Sequence, residues 1–350
     1  MSLSDKYQPT SILQNRTAES ARHFLIIQTA FLGDVVLATA VAEKLHRQHP
    51  GAAIDMLVRK GNESLLAGHP FLRRVLVWNK QQEKLRNLWR IIRDVRQQRY
   101  DVVINLHRFA SSGIITALAG ARQTRGFDKN PLSRLFSKSF PHPIGTQDDD
   151  AVHELDRNHA LIADFTDDAP ALPRLYPSPA DYATVEPLQN AGQFVCIAPA
   201  SVWFTKQWPA AQWAKLISLL KAEKIYLLGA PGDEALAQEI STLAGGDARV
   251  QSLCGKLSLL QSAALMQGAA INYVNDSGPL HLCTAMNAPV TAVFLSTSPR
   301  FGFGPRGLHG RVAQVSGLYC KPCGLHGYRA CPEGHFRCAW DLDVAIVSQP

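Results

Sequence analysis

The chain has 350 residues, 46% of them hydrophobic and 19% charged, which sets it apart from the disordered class as a whole and allows two domains of ordinary size. No apolar run reaches the roughly 18 residues of a spanning helix, and residues 1–20 lack the basic start, apolar core and cleavage site of a secretory leader, so cytoplasmic residence is expected. The formal charge of +7 suits an anionic ligand or a membrane surface, whereas scattered aromatics without a basic-aromatic motif argue against nucleic acid as a partner.

Residues 1–22 are largely polar and read as a flexible arm. An N-terminal domain, expected over 23–168, then alternates strand and helix. Strands are expected at Phe24–Gln28, Ile54–Val58, Val75–Trp78, Val102–Asn105 and Arg122–Gly126, with an amphipathic helix at Val35–His46. In an arginine-rich helix Leu85, Leu88, Ile92 and Val95 recur at helical spacing, and Arg86, Arg90, Arg93 and Arg96 lie off that stripe, as a solvated face or a surface for phosphates. Phe127–Asp150, with Pro131, Pro141 and Pro143, reads as a surface loop beside a cleft, and a helix over Val152–Phe165 closes the domain.

Pro170, Pro173, Pro177, Pro179 and Pro187 mark a linker at 169–192 with at most one short helix. A C-terminal domain, 193–350, resumes the alternation with strands at Phe194–Ala198, Ile225–Gly229, Val250–Leu253, Ala269–Val274 and Val290–Leu295. Strands alternating with helices imply an α/β protein with parallel sheets covered on both faces. Two doubly wound, Rossmann-like domains facing across a cleft would bind ligands beyond the carboxyl ends of their strands.

Several segments at such strand ends carry chemistry. Gly33 permits close backbone approach and Asp34 stands at a helix start, where it can cap the helix or take a proton from a hydroxyl. The loop after Ala198 holds Ser201 and Lys206, a hydroxyl and a point charge suited to phosphate. Asp233 and Glu234 follow another strand, where carboxylates can cap a helix or accept from a ribose. In Asn275-Asp276-Ser277-Gly278-Pro279-Leu280-His281, Pro279 suits a first helical position and Asp276, Ser277 or Gly278 can cap, at a helix end that attracts phosphate. Gly302, Gly304 and Gly307 match a dinucleotide fingerprint literally, but Pro305 lies inside it and no strand immediately precedes it. Cys320, Cys323, Cys331 and Cys338, separated by two, seven and six residues, suit either a structural zinc or reduced thiols packed in a loop.

Together these segments resemble the ADP-heptose:lipopolysaccharide heptosyltransferases of glycosyltransferase family 9. The match rests on Gln28–Asp34, Asp101–Asn105, Lys206-Gln207-Trp208-Pro209, Asn275–His281, Thr297-Ser298-Pro299 and the tail from Cys320 to Cys338. The resemblance implies a GT-B architecture and inverting, metal-independent transfer from an ADP-sugar to a lipopolysaccharide core acceptor. It implies Asp34 as general base and Lys206 on the diphosphate. Asp276, Ser277, Gly278 and His281 then hold diphosphate and sugar, with Ser201 nearby and Glu234 or Asp233 on the ribose. Transient contact with the inner face of the inner membrane follows for such an acceptor. One departure is Leu295-Ser296 where many members have Gly-Pro. Alternative readings are a GT-B transferase or epimerase using a UDP-sugar, and a metal-stabilised binding protein organised around the cysteines.

Overall fold

The computed structural model describes residues 22–145, 152–307 and 309–349, so the arm read at 1–22 lies outside it apart from Arg22. Six parallel strands form the first sheet: β1 (His23–Gln28), β2 (Ala53–Arg59), β3 (Arg74–Trp78), β4 (Val102–Asn105), β5 (Gln123–Phe127) and β6 (Lys138–Phe140). Their order is β3-β2-β1-β4-β5-β6. Between them run α1 (Leu32–Gln48), α2 (Lys84–Gln98) and α3 (Ala110–Ala117), and α4 (Glu154–Ala160) and α5 (Pro179–Gln189) follow. β1 and β4 are almost wholly buried, as strands covered on both faces must be, which is why they read as apolar runs.

The second sheet contains β7 (Phe194–Ala198), β8 (Lys224–Leu227), β9 (Val250–Ser252), β10 (Asn272–Asn275), β11 (Val290–Val293) and β12 (Gly310–Ala313), ordered β12-β11-β10-β7-β8-β9 and again all parallel. α6 (Ala210–Leu219), α7 (Glu234–Leu243), α8 (Leu259–Gly268) and α9 (Gly278–Met286) connect them. Each sheet reverses direction of winding once, between β1 and β4 and between β7 and β10, and such switch points open crevices at the carboxyl ends of the strands. α1 and α9 pack together, and one hydrophobic cluster continues from Phe24 and Val36 of the first half to Leu280 and Phe294 of the second.

Several expectations change. The stretch read as a loop from Phe127 contains β6, which pairs with β5 through Phe127 opposite Phe140, and Phe136 and His142 within it are buried. The helix expected over Val152–Phe165 stops early: Arg125 Nη1 donates to Leu161 O at 2.9 Å, and Ala163–Phe165 form a separate 3₁₀ turn. Leu85 does not join the buried stripe. It lies 71% exposed in the first turn of α2, while Leu88, Ile91, Ile92 and Val95 pack on Leu76 and Trp78. Gly302 follows a 3₁₀ turn, and its carbonyl accepts from Glu154 N at 2.9 Å, so that fingerprint serves as a junction between the halves.

Candidate active site

The turn leaving β1 delivers Asp34 into the first turn of α1, where Oδ2 accepts from Phe31 N at 3.2 Å. The capping role therefore holds, but the same carboxylate lines a cavity of about 360 Å³ with Glu154, Arg59, Lys80, Arg108 and His326. Strand order explains the convergence: Arg59 ends β2, Lys80 follows β3 and Arg108 follows β4, all at neighbouring carboxyl ends. Burial, and then the charge of Glu154, push the Asp34 carboxyl up to about 6. Burial also raises Glu154, but His142 and Arg157 outweigh it and hold that carboxyl below its ordinary value. Glu154 thus stays ionised and raises its neighbour.

Arg59, Lys80 and Arg108 bring positive charge to this cavity. Lys80 Nζ donates to Thr29 O at 2.9 Å and to Thr29 Oγ1 at 3.1 Å, and Thr29 Oγ1 shares a hydrogen bond of 3.0 Å with His107 Nδ1. Burial, with Arg59 and Lys84 adding to it, lowers Lys80 to about 8. Burial, then Lys80 and Arg108, take His107 down to about 3, so its ring is neutral. A crevice with several cations around one weakly acidic carboxylate suits an anionic molecule that surrenders a proton.

Across the second switch point, Lys206 from the loop after β7 meets Asp276 after β10, with Nζ 2.7 Å from Oδ2. Thr297 Oγ1 donates to the same Oδ2 at 2.6 Å. Asn275 locks the loop, since Nδ2 donates to Pro199 O at 2.6 Å and Oδ1 accepts from Trp208 N at 3.2 Å. Neither Asp276 nor Ser277 caps α9 through its side chain, and Pro279 in its first turn has no N–H to satisfy. The helix therefore presents an uncapped positive end beside the Lys206 ammonium, a setting that attracts phosphate.

The two halves touch through glycines. A Cβ on Gly33 would lie 2.4 Å from His281 Cδ2, and one on Gly278 would lie 2.7 Å from Leu32 Cδ2. The absence of a side chain at Gly33 lets the start of α1, with Asp34, pack against the His281 ring at the start of α9. His281 is buried, its Nδ1 lacks a partner among the described residues, and burial lowers its pKa to about 4. From α4, Arg157 donates to Glu154 Oε2 at 2.7 Å and to Phe301 O of the second half at 2.8 Å. His153 Nε2 bonds Gly304 O at 3.0 Å, and Arg306 pairs with Asp156 at 2.6 Å.

Other sequence candidates have local partners. Ser201 Oγ accepts from Trp203 N at 3.4 Å within its own loop. Asp233 Oδ2 accepts from Ala230 N at 2.7 Å and Glu234 Oε2 accepts from Ser252 Oγ at 2.6 Å, so both carboxylates stand at the end of β8, held in place rather than joined to the Lys206 pair. Cys320, Cys323, Cys331 and Cys338 are free thiols, and no group of three or more His, Cys, Asp or Glu is gathered for a metal among the described residues. Their segment braces the Lys206 loop: Cys323 N donates to Ser296 O at 2.8 Å and Tyr328 N to Thr205 Oγ1 at 2.7 Å. It also brings His326 to the cavity wall. As members of this cavity, Arg59, Lys80, Arg108, Glu154 and His326 escaped the sequence reading. Position at a strand end flagged Asp34 and Lys206, and the same rule, applied after β2, β3 and β4, would have found three of the five.

The sequence profile described as glycosyltransferase family 9 (heptosyltransferase) matches residues 88–327. Lipopolysaccharide heptosyltransferase 1 of Pseudomonas aeruginosa is 27% identical over 327 residues, covering 85% of each chain. The structure of Escherichia coli ADP-heptose lps heptosyltransferase II superposes with a TM-score of 0.72 at 20% identity, covering 91% of this chain and 98% of that one. Escherichia coli heptosyltransferase WaaC, solved with ADP, gives 0.66 at 25% identity, covering 83% and 92%.

Proposed function

The chain belongs to glycosyltransferase family 9, with two parallel sheets in the GT-B arrangement, and from that premise we propose that it transfers heptose from ADP-heptose to a lipopolysaccharide core sugar with inversion at the anomeric carbon. The contact of the α1 and α9 starts, through Gly33 against His281 and Gly278 against Leu32, carries this reading. It brings the start of α1, where the Asp34 carboxyl has a pKa of about 6, against the uncapped start of α9, whose preceding Asp276 pairs with the Lys206 ammonium. The ADP in the WaaC structure supports an ADP-linked donor.

In this reading Asp34 accepts the proton of the acceptor hydroxyl as its oxygen attacks the anomeric carbon. Lys206 and the α9 start stabilise the charge that builds on the departing diphosphate. Asp276 holds the Lys206 ammonium in place, and Thr297 fixes Asp276. The orphaned Nδ1 of His281 is a partner for a sugar hydroxyl. Arg59, Lys80 and Arg108 attract an anionic acceptor. A single displacement needs only a base opposite the leaving group, as in inverting hydrolases.

Incubation with ADP-heptose and heptose-free core oligosaccharide tests the proposal. ADP release, a product heavier by one heptose and an anomeric configuration opposite to the donor's are expected. Transfer from a UDP-sugar in place of ADP-heptose, or a retained configuration, would overturn it.

A further inference from the structure

Thr29, in the turn leaving β1, and His107, just after β4, meet across the first switch point through one hydroxyl. Both are buried, at 1% and 8% exposure, and both line the cavity that holds Asp34. The backbone of His107 is pinned on both sides. Its N–H donates to Asn105 Oδ1 at 2.9 Å, and its carbonyl accepts from Ser112 Oγ at 3.0 Å and Asn130 Nδ2 at 3.1 Å. The ring turns Nδ1 to Thr29 Oγ1, while Nε2 has no hydrogen-bond partner among the described residues. In contrast to the sealed Nδ1 of His281, that nitrogen is open to the cavity.

The proton count selects one tautomer. A hydroxyl has one proton and two lone pairs, and a neutral imidazole donates from one nitrogen and accepts at the other. Burial leaves the His107 ring neutral. Lys80 Nζ donates to Thr29 Oγ1 at 3.1 Å, so the Thr29 proton does not point there. The other partner of that oxygen among the described residues is His107 Nδ1. A proton on Nδ1 would leave the buried Thr29 O–H with nothing to donate to, a state that folded proteins avoid. Thr29 therefore donates to Nδ1, and the ring proton lies on Nε2. Lys80 commits two of its three protons to Thr29 O and Oγ1 and keeps one.

We infer that His107 is a specificity residue for the acceptor: its Nε2–H, fixed by the Thr29 hydroxyl, donates a hydrogen bond to an oxygen of the acceptor sugar and orients that sugar beside Asp34. The Thr29 hydroxyl thereby orders two free donors on the cavity, this N–H and the remaining proton of Lys80. Arg59 and Arg108 supply charge, whereas a neutral donor on a pinned ring selects by position. A ligand without the matching oxygen leaves that donor unpaired and is rejected. The identity of the ligand rests on the transfer reading, and the tautomer does not.

Two measurements test it. In isotope-labelled protein at neutral pH, long-range proton–nitrogen NMR spectra should contain a neutral ring protonated at Nε2 that disappears in His107→Asn. A ring protonated at Nδ1, or a charged one, would overturn the inference whatever reaction the protein performs. The second is calorimetric binding of heptose-free core oligosaccharide. His107→Asn keeps an acceptor for the Thr29 O–H and loses the outward donor, whereas His107→Gln restores a donor near the Nε2 position. His107→Asn should weaken core binding about tenfold with ADP affinity and thermal midpoint unchanged, and His107→Gln should recover most of the loss. Unchanged core affinity in His107→Asn, or an equal loss of ADP affinity, would overturn the inference. Loss of core binding in His107→Asn, in a wild type that transfers nothing from ADP-heptose, would support it while refuting the transfer reading.

Discussion

At Asp34 two opposing demands meet: the carboxylate caps α1 through Phe31 N, and the proposed mechanism asks it to keep a proton affinity high enough to serve as a base. Burial and Glu154 supply the second by raising it to about 6. Above that pH the group is ionised and competent, and below it the group is protonated, so kcat/KM should rise with pH through about 6. Glu154→Gln removes the neighbouring negative charge, so the acid limb should move to lower pH. A pH-rate profile with an unmoved limb would separate Glu154 from the base. Lys206→Ala should weaken ADP binding at least about tenfold in calorimetry, since a charge-assisted contact contributes about 1.5–3 kcal/mol. Unchanged affinity would leave Lys206 as a partner of Asp276 alone. Asp34, Lys206 and the segment from Asn275 to His281 were singled out in the sequence because each lies in the turn or loop that leaves an apolar strand. Glu154 and His326 were not, because each reaches the crevice from α4 or from the cysteine tail, far from any strand end.

Most strands that read as apolar runs were expected, and two short edge strands were not. β1, β4, β7 and β10 have covered strand faces, whereas β6, Lys-Ser-Phe, and β12, Gly-Arg-Val-Ala, are short edge strands identified by pairing alone. Leu85 followed the helical period but precedes the point where α2 reaches its sheet, so periodicity alone placed it wrongly. The contact of α1 with α9 was beyond the sequence, since no local pattern says which glycine faces which helix. Its two glycines should respond differently. At Gly33 an added methyl would lie 2.4 Å from Cδ2 of the buried His281 ring, and overpacking of about 1–3 kcal/mol should exceed the helix-propensity gain of up to about 1 kcal/mol. At Gly278 it meets only the end of the Leu32 side chain, which can rotate. Urea unfolding should therefore show Gly33→Ala as the less stable variant, and the reverse order would remove this close packing from the explanation.

Over the whole molecule, the halves are joined by a continuous apolar cluster and by α4, whose Arg157 bridges Glu154 and the carbonyl of Phe301. Removing one member of a buried ion pair strands the other, so Arg157→Ala should lower unfolding stability by about 3–5 kcal/mol. A change under about 1 kcal/mol would show that the bridge is not a main tie between the halves. Under the proposed mechanism this joint serves the chemistry, because transfer would need the base of the first half held close to the leaving-group site of the second. The most direct measurement is the turnover of ADP-heptose by Asp34→Asn, a variant that keeps the shape of the carboxylate and removes its basicity. With ADP affinity preserved, the rate at saturating donor and acceptor should fall by a factor on the order of 10² or more. Turnover within a few-fold of the wild type would contradict Asp34 as the base.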